Sequence, residues 1–466
     1  MLLCALATVF GCLLVSATAL ASTATRLSDI NPGTPGSVPS EFEAVGNSLY
    51  FSANQTEFGP ELWTSNGTAM GTRMVEDIFA SSNNGVGAGS FPSELTDVNG
   101  TTFFSASDGR HGRELWRSDG TLAGTRLVRD INTNTGGRAW SDPGYPGGMV
   151  NLNGVAFFTA TDGTHGIELW RSNGSSSATG TRMVKDIVPG SGTSFPSELT
   201  VSGNKVYFRA RTASLGDELW VSDGTSAGTV PVRNINPGST SSTPTELTDV
   251  NGTLFFQASD GSNGRELWKT TANSATLVRN IATNPDSISS DPIHLTNVGG
   301  TLYFNADNLT HGEELWKSDG TGAGTVMVRN IATNGASSLP QNLVDVGGTL
   351  FFRADDQITG FELWKSNGTA GSTARVRNIR PGVDSSFPQN LTAAGNLLFF
   401  AANNGTNGNE LWQSDGTPTG TVMVKNIMAG SASSSPGGLT NVAGTLFFHA
   451  EHAATGEELW KAIPGP

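Results

Sequence analysis

Cysteine is nearly missing from this chain. Of 466 residues only Cys4 and Cys12 carry a thiol, and both fall in the first twelve positions. Everything after them lacks a disulfide, a thiolate metal ligand and a cysteine nucleophile. Histidine is also scarce, at six scattered residues, and no HExxH, P-loop or dinucleotide fingerprint occurs. Charge is thin, at 15% of positions, and acidic residues outnumber basic ones by 41 to 27. The resulting formal charge of -14 repels nucleic acid and anionic membrane surfaces, which excludes both as main partners.

Residues 2 to 15 form the one long uncharged apolar run, shorter than the about 20 residues that cross a bilayer. Ala19-Leu20-Ala21 follows as a small-x-small site, so residues 1–21 read as a secretory signal peptide cleaved after Ala21. An uncleaved anchor and lipidation at Cys12 are the alternatives, the second opposed by Phe10 standing before Gly11. The expected destination is secretion, the periplasm or the cell surface, as a monomer with no membrane span in the mature form.

What the chain has in excess is glycine, 59 residues, and repetition. Glu-Leu-Trp occurs nine times, with tryptophans at Trp63, Trp116, Trp170, Trp220, Trp268, Trp316, Trp364, Trp412 and Trp460. The intervals are 53, 54 and 50 residues, then 48 five times. Four short β-like runs recur in each unit, exemplified by LTDV, TLFFQA, ELWKS and TVMVRNI, here strands a, b, c and d. Asn-Gly or Gly-Gly separates a from b, and Asp-Gly or Asn-Gly separates c from d, so consecutive strands should pair as antiparallel hairpins. Strand b is apolar on successive positions, which requires a sheet covered on both faces. Radial stacking of four-stranded sheets meets that demand, and residues 22–466 are expected to form a single closed β-propeller of nine blades. The chain opens on a d-type strand, Thr25 to Ile30, and ends on a c-type strand at Trp460. The first strand should therefore complete the last blade.

The motif ELWxxDGT, intact at 114–121, 218–225, 314–321 and 410–417, resembles the signature of the bacterial ELWxxDGT-repeat secreted proteins. The unit is also similar in layout to a kelch blade, although the kelch double glycine occurs only at Gly299-Gly300 and Gly347-Gly348. The resemblance implies a secreted, propeller-like protein and no particular reaction.

Repeated residues point first to structure. Trp and Glu of strand c fall on one side of the blade, and the expected roles are a wedge between blades for Trp and a backbone hydrogen-bond acceptor for Glu. The turn aspartates Asp119, Asp223, Asp319 and Asp415 alternate with Asn66, Asn173 and Asn367, a swap that a turn tolerates and a calcium site does not. The b-to-c loops carry Asp108, Asp162, Asp260 and Asp356, so calcium is the only cofactor left open and no metal site is assigned. Gly224-Thr225-Ser226-Ala227-Gly228 matches G-x-S-x-G but lies in a c-to-d hairpin, the wrong setting for a nucleophile. No catalytic residue is assigned. His111, His165 and His311 occupy corresponding loops of separate units. Basic residues recurring on strand d, such as Arg129, Lys185, Arg233 and Arg329, read as protection of an outer edge.

Asymmetry points to function. Two d-to-a connections are enlarged, residues 79–94 and 132–151, and the second contains Arg138, Trp140, Asp142 and Tyr145. These should share one face with Asp162 and His165 of a b-to-c loop, forming a ligand-binding patch. The leading expectation is thus a noncatalytic secreted scaffold that binds an extracellular protein or glycan through its loop face. The alternative is a propeller-fold enzyme acting on carbohydrate, a glycosidase or lyase, with loop carboxylates at the channel mouth.

Overall fold

The computed structural model describes residues 22–80, 82–83, 86–133, 148–272, 274–283 and 289–465. The expected leader and residues 134–147 of the second enlarged loop lie outside them. The described residues hold no helix, and none long and apolar enough to cross a membrane. They form nine four-stranded antiparallel sheets, each in the order a-b-c-d. Blade 1, for example, comprises Ser40–Val45, Ser48–Gln55, Gly59–Ser65 and Arg73–Glu76.

Strand a is innermost, and the a strands of neighbouring blades pack side by side around the ring. The a-to-b and c-to-d hairpins lie on one face; the b-to-c and d-to-a connections lie on the other, here the loop face. The last blade takes its outer strand from the other end of the chain. Thr23–Arg26 pairs with Gly456–Ile463 from Thr23 opposite Ile463 to Arg26 opposite Trp460. Nine blades closed by the N-terminal strand are what the truncated terminal repeats required.

Each interface between blades is its own apolar cluster. Between blades 2 and 3, Phe103, Leu115 and Ile131 meet Phe158, Ala160 and Trp170. Between blades 9 and 1, Leu27, Ile30, Phe447 and Leu459 meet Phe51 and Trp63, which seals the ring. All nine Glu-Leu-Trp tryptophans are 3 to 8% exposed, so they are wedges and offer no surface platform. The partner of each wedge is the doubly apolar b strand, whose second aromatic residue is fully buried in blade after blade: Phe104, Phe208, Phe304, Phe400.

The strand c glutamates tie each blade's loop face to itself. Glu314 accepts the N–H groups of Ile331 and Ala332, both at 2.9 Å, and the Ser338 hydroxyl at 2.6 Å. Glu61 does the same for Ile78, Phe79 and Ser90. Burial pushes both carboxyls up to about 7, against the pull of the hydroxyl and backbone donors. The turn aspartates also behave as expected: Asp119 Oδ1 accepts the N–H and hydroxyl of Thr121 at 3.0 and 2.6 Å, and Asn66 Oδ1 receives the same two groups from Thr68.

One expectation needs correcting. The basic residues of strand d do more than guard an edge, because each reaches sideways to the next blade. Arg129 donates to the Thr181 carbonyl, Lys185 to Thr229, Arg233 to Ala275 and Lys425 to Ala24. A strand that had to repel neighbours would hold its cations in solvent; these satisfy carbonyls at the start of the adjoining strand d.

Candidate functional site at the channel mouth

Of the patch expected from the sequence, Asp162 and His165 are described, and they are engaged with each other. Asp162 Oδ1 accepts the N–H groups of Thr164 and His165, and His165 Nδ1 lies 2.9 Å from Asp162 Oδ2. The hydrogen bond to Asp162 raises the His165 pKa, and the loop's own donors outweigh burial to lower that of Asp162. Asp108 and His111 repeat the arrangement in blade 2, with a ring-to-carboxylate distance of 2.7 Å. Asp260 binds the N–H groups of Ser262 and Asn263 in the same way. These loop carboxylates are therefore turn residues first. Arg138, Trp140, Asp142 and Tyr145 lie outside the described residues.

The symmetry breaks elsewhere, on strand a, where the ring is narrowest. Eight of the nine a strands bear a bulge near their start, blade 3 being the exception, and the residue at this position takes a left-handed backbone: Glu41, Glu94, Glu198, Glu246, His294, Asn342 and Asn390 have φ between 54° and 60°. Gly148 and Gly438 complete the set at 62° and 59°. An extra residue opposing one partner rotates the chain and re-aims a side chain. The strand starts on the loop face, so these positions encircle the channel mouth on that face. Blades 1, 2, 4 and 5 supply carboxylates, whereas blades 7 and 8 supply amides.

The two halves of this ring bond differently. Glu41 Oε2 accepts the N–H of Glu94 at 2.9 Å, and Glu246 Oε2 that of Leu295 at 3.2 Å. Asn342 and Asn390 instead donate to the carbonyls of Pro388 and Pro436, at 3.3 and 3.0 Å. Each side chain thus reaches the next blade, the acids to an N–H and the amides to a carbonyl.

Two residues further along strand a, most blades carry a threonine: Thr96, Thr200, Thr248, Thr296, Thr392 and Thr440. Thr96, Thr200, Thr248 and Thr392 hydroxyls lie within hydrogen-bond reach of a carbonyl of the next a strand. Blade 1 departs from this with Glu43, whose Oε1 accepts the Asp97 N–H at 2.9 Å. Burial raises the Glu43 pKa and the nearby Asp97 charge adds to it, against the backbone hydrogen bond. The two amides that hold Glu41 and Glu43 are three residues apart on one strand, at most about 10 Å. Paired carboxylates of glycoside hydrolases are separated by roughly 5 to 10 Å.

Three aromatic side chains stand on the same rim, two of them leading into the acidic blades 2 and 4 and one into blade 8. Phe91, Phe195 and Phe387 are 48 to 55% exposed, each just before a buried proline in a d-to-a connection, each with φ near 50°. The strained backbone has a local cause: Phe91 N–H bonds to the Pro60 carbonyl and Phe387 N–H to that of Phe361. Equivalent positions hold Val38, Thr243, Asp291 and Ser435, so the fold requires the conformation but not the aromatic ring. Sequence reading missed the whole mouth. Its signal was the run Glu, Glu, Gly, Glu, Glu, His, Asn, Asn, Gly at one repeat position.

No family model matches the chain, and no curated protein matches it. Among solved structures it is similar to puromycin hydrolase, at 14% identity and a TM-score of 0.36 over 78% of this chain and 58% of that one. It is also similar to a puromycin-hydrolyzing peptidase of Mycobacterium tuberculosis, at 12% and 0.40 over 82% and 61%, and to a prolyl endopeptidase, at 11% and 0.41 over 74% and 48%. The chain spans about half to three fifths of the length of these enzymes. The expectation of a noncatalytic scaffold binding a protein or glycan is corrected here: the structures it is similar to are described as hydrolases and peptidases.

Proposed function

We propose that the chain is a propeller-fold enzyme acting on carbohydrate, a glycosidase or lyase, with its site at the channel mouth on the loop face. The observation that supports this reading is Glu43, a carboxyl in place of the threonine found in six other blades, with its pKa raised by burial. A carboxyl that holds its proton to higher pH than an exposed one is better suited to protonate a leaving oxygen. Glu41, two residues away on the same strand, provides the second carboxylate, and Phe91 and Phe195 offer apolar faces on which sugar rings stack. A polymer lying across the mouth would meet the acidic arc of blades 1, 2, 4 and 5 along its length.

The test is release of reducing ends from a panel of neutral and uronic-acid polysaccharides, with the ultraviolet absorbance of unsaturated products separating lyase from hydrolase. Wild type should cleave at least one substrate, and E43Q should lower kcat by about 100-fold or more with an unchanged melting temperature. Absence of cleavage across the panel, or full activity in E43Q, overturns the proposal.

A further inference from the structure

On the hairpin face, a cation after the tryptophan of strand c, or opposite it on strand d, bridges to the next blade's turn. Arg73 donates to the Gly120 carbonyl, Arg171 to Gly224 and Lys461 to Gly67. At this cross-strand position every blade but 2 and 3 carries one cation or none. Lys269 faces Thr276, Lys317 faces Val326 and Lys365 faces Ala374 across the c–d pair. Blades 2 and 3 depart from this economy, since Arg117 stands directly opposite Arg126 and Arg171 directly opposite Arg182. Like charges paired across strands are destabilising, and a chain of net charge -14 with 27 basic residues has few to spare.

The two pairs are used differently. In blade 3 both arginines are spent on carbonyls, Arg171 on Gly224 and Arg182 on Thr179. In blade 2 neither Arg117 nor Arg126 has a hydrogen bond or ion pair among the described residues. Together they line a cavity of about 420 Å³ that is closed on the far side by Asn173, Gly174, Ser175 and Ser176. The opposing turn is altered in two respects. It carries Asn173 where Arg171 and Lys269 face the carboxylates Asp223 and Asp319. It is two residues longer than the SDGT turns and runs through Ser175, Ser176 and Ser177. As Gly224 does for Arg171, Gly174 leaves room for the guanidinium, since a Cβ there would lie 2.7 Å from Arg117 Nη1. The carboxylate that Arg117 does feel is Asp119 of its own turn, whose Oδ1 already binds Thr121.

We propose that this cavity binds a tetrahedral oxyanion, a phosphate or sulfate group, between Arg117 and Arg126, with the serine-rich turn of blade 3 supplying hydroxyl donors. Guanidinium groups offer paired N–H donors that match such oxygens. The anion neutralises the opposed charges that the blade otherwise holds uncompensated. The cavity is far larger than one such ion, so the group belongs to a bigger molecule, such as a substituted sugar. The site lies on the face opposite the channel mouth and is independent of the activity proposed there.

Isothermal titration with inorganic phosphate and with inorganic sulfate, at constant ionic strength against a chloride reference, tests this directly. One equivalent of at least one ion should bind, and its identity separates the phosphate source from the sulfate source. R126Q, at an exposed position, should weaken binding about tenfold without lowering the melting temperature, whereas R182Q should leave it unchanged. R117Q should abolish binding while the chain still melts cooperatively. Heats no greater than chloride, undiminished binding in R126Q, or equal weakening by R182Q overturns the proposal.

Discussion

Glu458 accepts the Ile30 N–H at 3.1 Å across 428 positions of sequence, and the hydroxyl of Ser37 at 2.7 Å. It makes the contacts that Glu61 and Glu314 make, except that its partners come from the opposite end of the chain. The ring is thus locked on the loop face by the same device that holds each blade, in addition to the strand pairing of Thr23–Arg26 with Gly456–Ile463.

Deleting residues 22 to 32 should therefore open the ring. The last c strand would lose its backbone partners and present an unpaired edge, Glu458 would lose its N–H donors, and Lys425 would lose the Ala24 carbonyl. A lower melting temperature and concentration-dependent association in size-exclusion chromatography with light scattering are expected. A monomer melting like wild type would mean that closure contributes little.

Trp268 packs at 3% exposure against Leu219 and Ile235 of the preceding blade, with Arg233 stacked 5.9 Å from its ring centroid. Truncation to alanine should cost roughly 3 to 5 kcal/mol, measured by denaturant unfolding. A loss below about 1 kcal/mol would show that blade contacts close over the gap.

Much of this was legible from the repeat, for particular reasons. Positions such as Trp268 and Glu314 recur because each interface needs them, and the Asp-to-Asn alternation at Asn66 and Asp119 follows from one shared acceptor oxygen. The channel mouth was illegible for the complementary reason. Nothing in the sequence shows that a bulge turns Glu41 and Glu94 onto the mouth, or that Glu43 stands where others have threonine at the same depth. Attention to invariant residues and inserted loops passes over a substitution inside a strand. The basic residues of strand d were misread because their acceptors, such as the Thr181 carbonyl, belong to the next repeat.

The Asp119 turn gives a sharper test of that shared oxygen. Because Asn66 receives the same N–H and hydroxyl that Asp119 does, Asp119→Asn should leave stability within about 0.5 kcal/mol. Asp119→Ala removes the acceptor and should cost about 1 kcal/mol. A large loss in the Asn variant, restored by calcium in the wild type alone, would show that the charge is required.

The buried glutamates set an unusual dependence of stability on pH. Glu61 and Glu314 sit at about 7 in the folded chain against 4.5 when exposed, and burial raises Glu168, Glu218, Glu266, Glu362, Glu410 and Glu458 in the same direction. Between pH 4.5 and about 7 the native state holds protons that the unfolded chain has released, so stability falls as pH rises through that window. Their contribution is complete below 4.5. Asp108, Asp119, Asp162 and Asp260 are lowered from 3.8 by their loop donors, and they work oppositely: their stabilisation is present above 3.8 and is lost as acid protonates them. The two sets bracket a maximum between about pH 4 and 5, and scanning calorimetry should show the melting temperature declining from there to pH 7.5. Glu314→Gln cannot titrate and should flatten part of that decline, even though the amide itself lowers stability by leaving N–H donors facing one another. A melting temperature that climbs from pH 5 to 7.5 would mean that the N–H and hydroxyl donors around these carboxylates outweigh their burial, and that the ring is held by ionised glutamates.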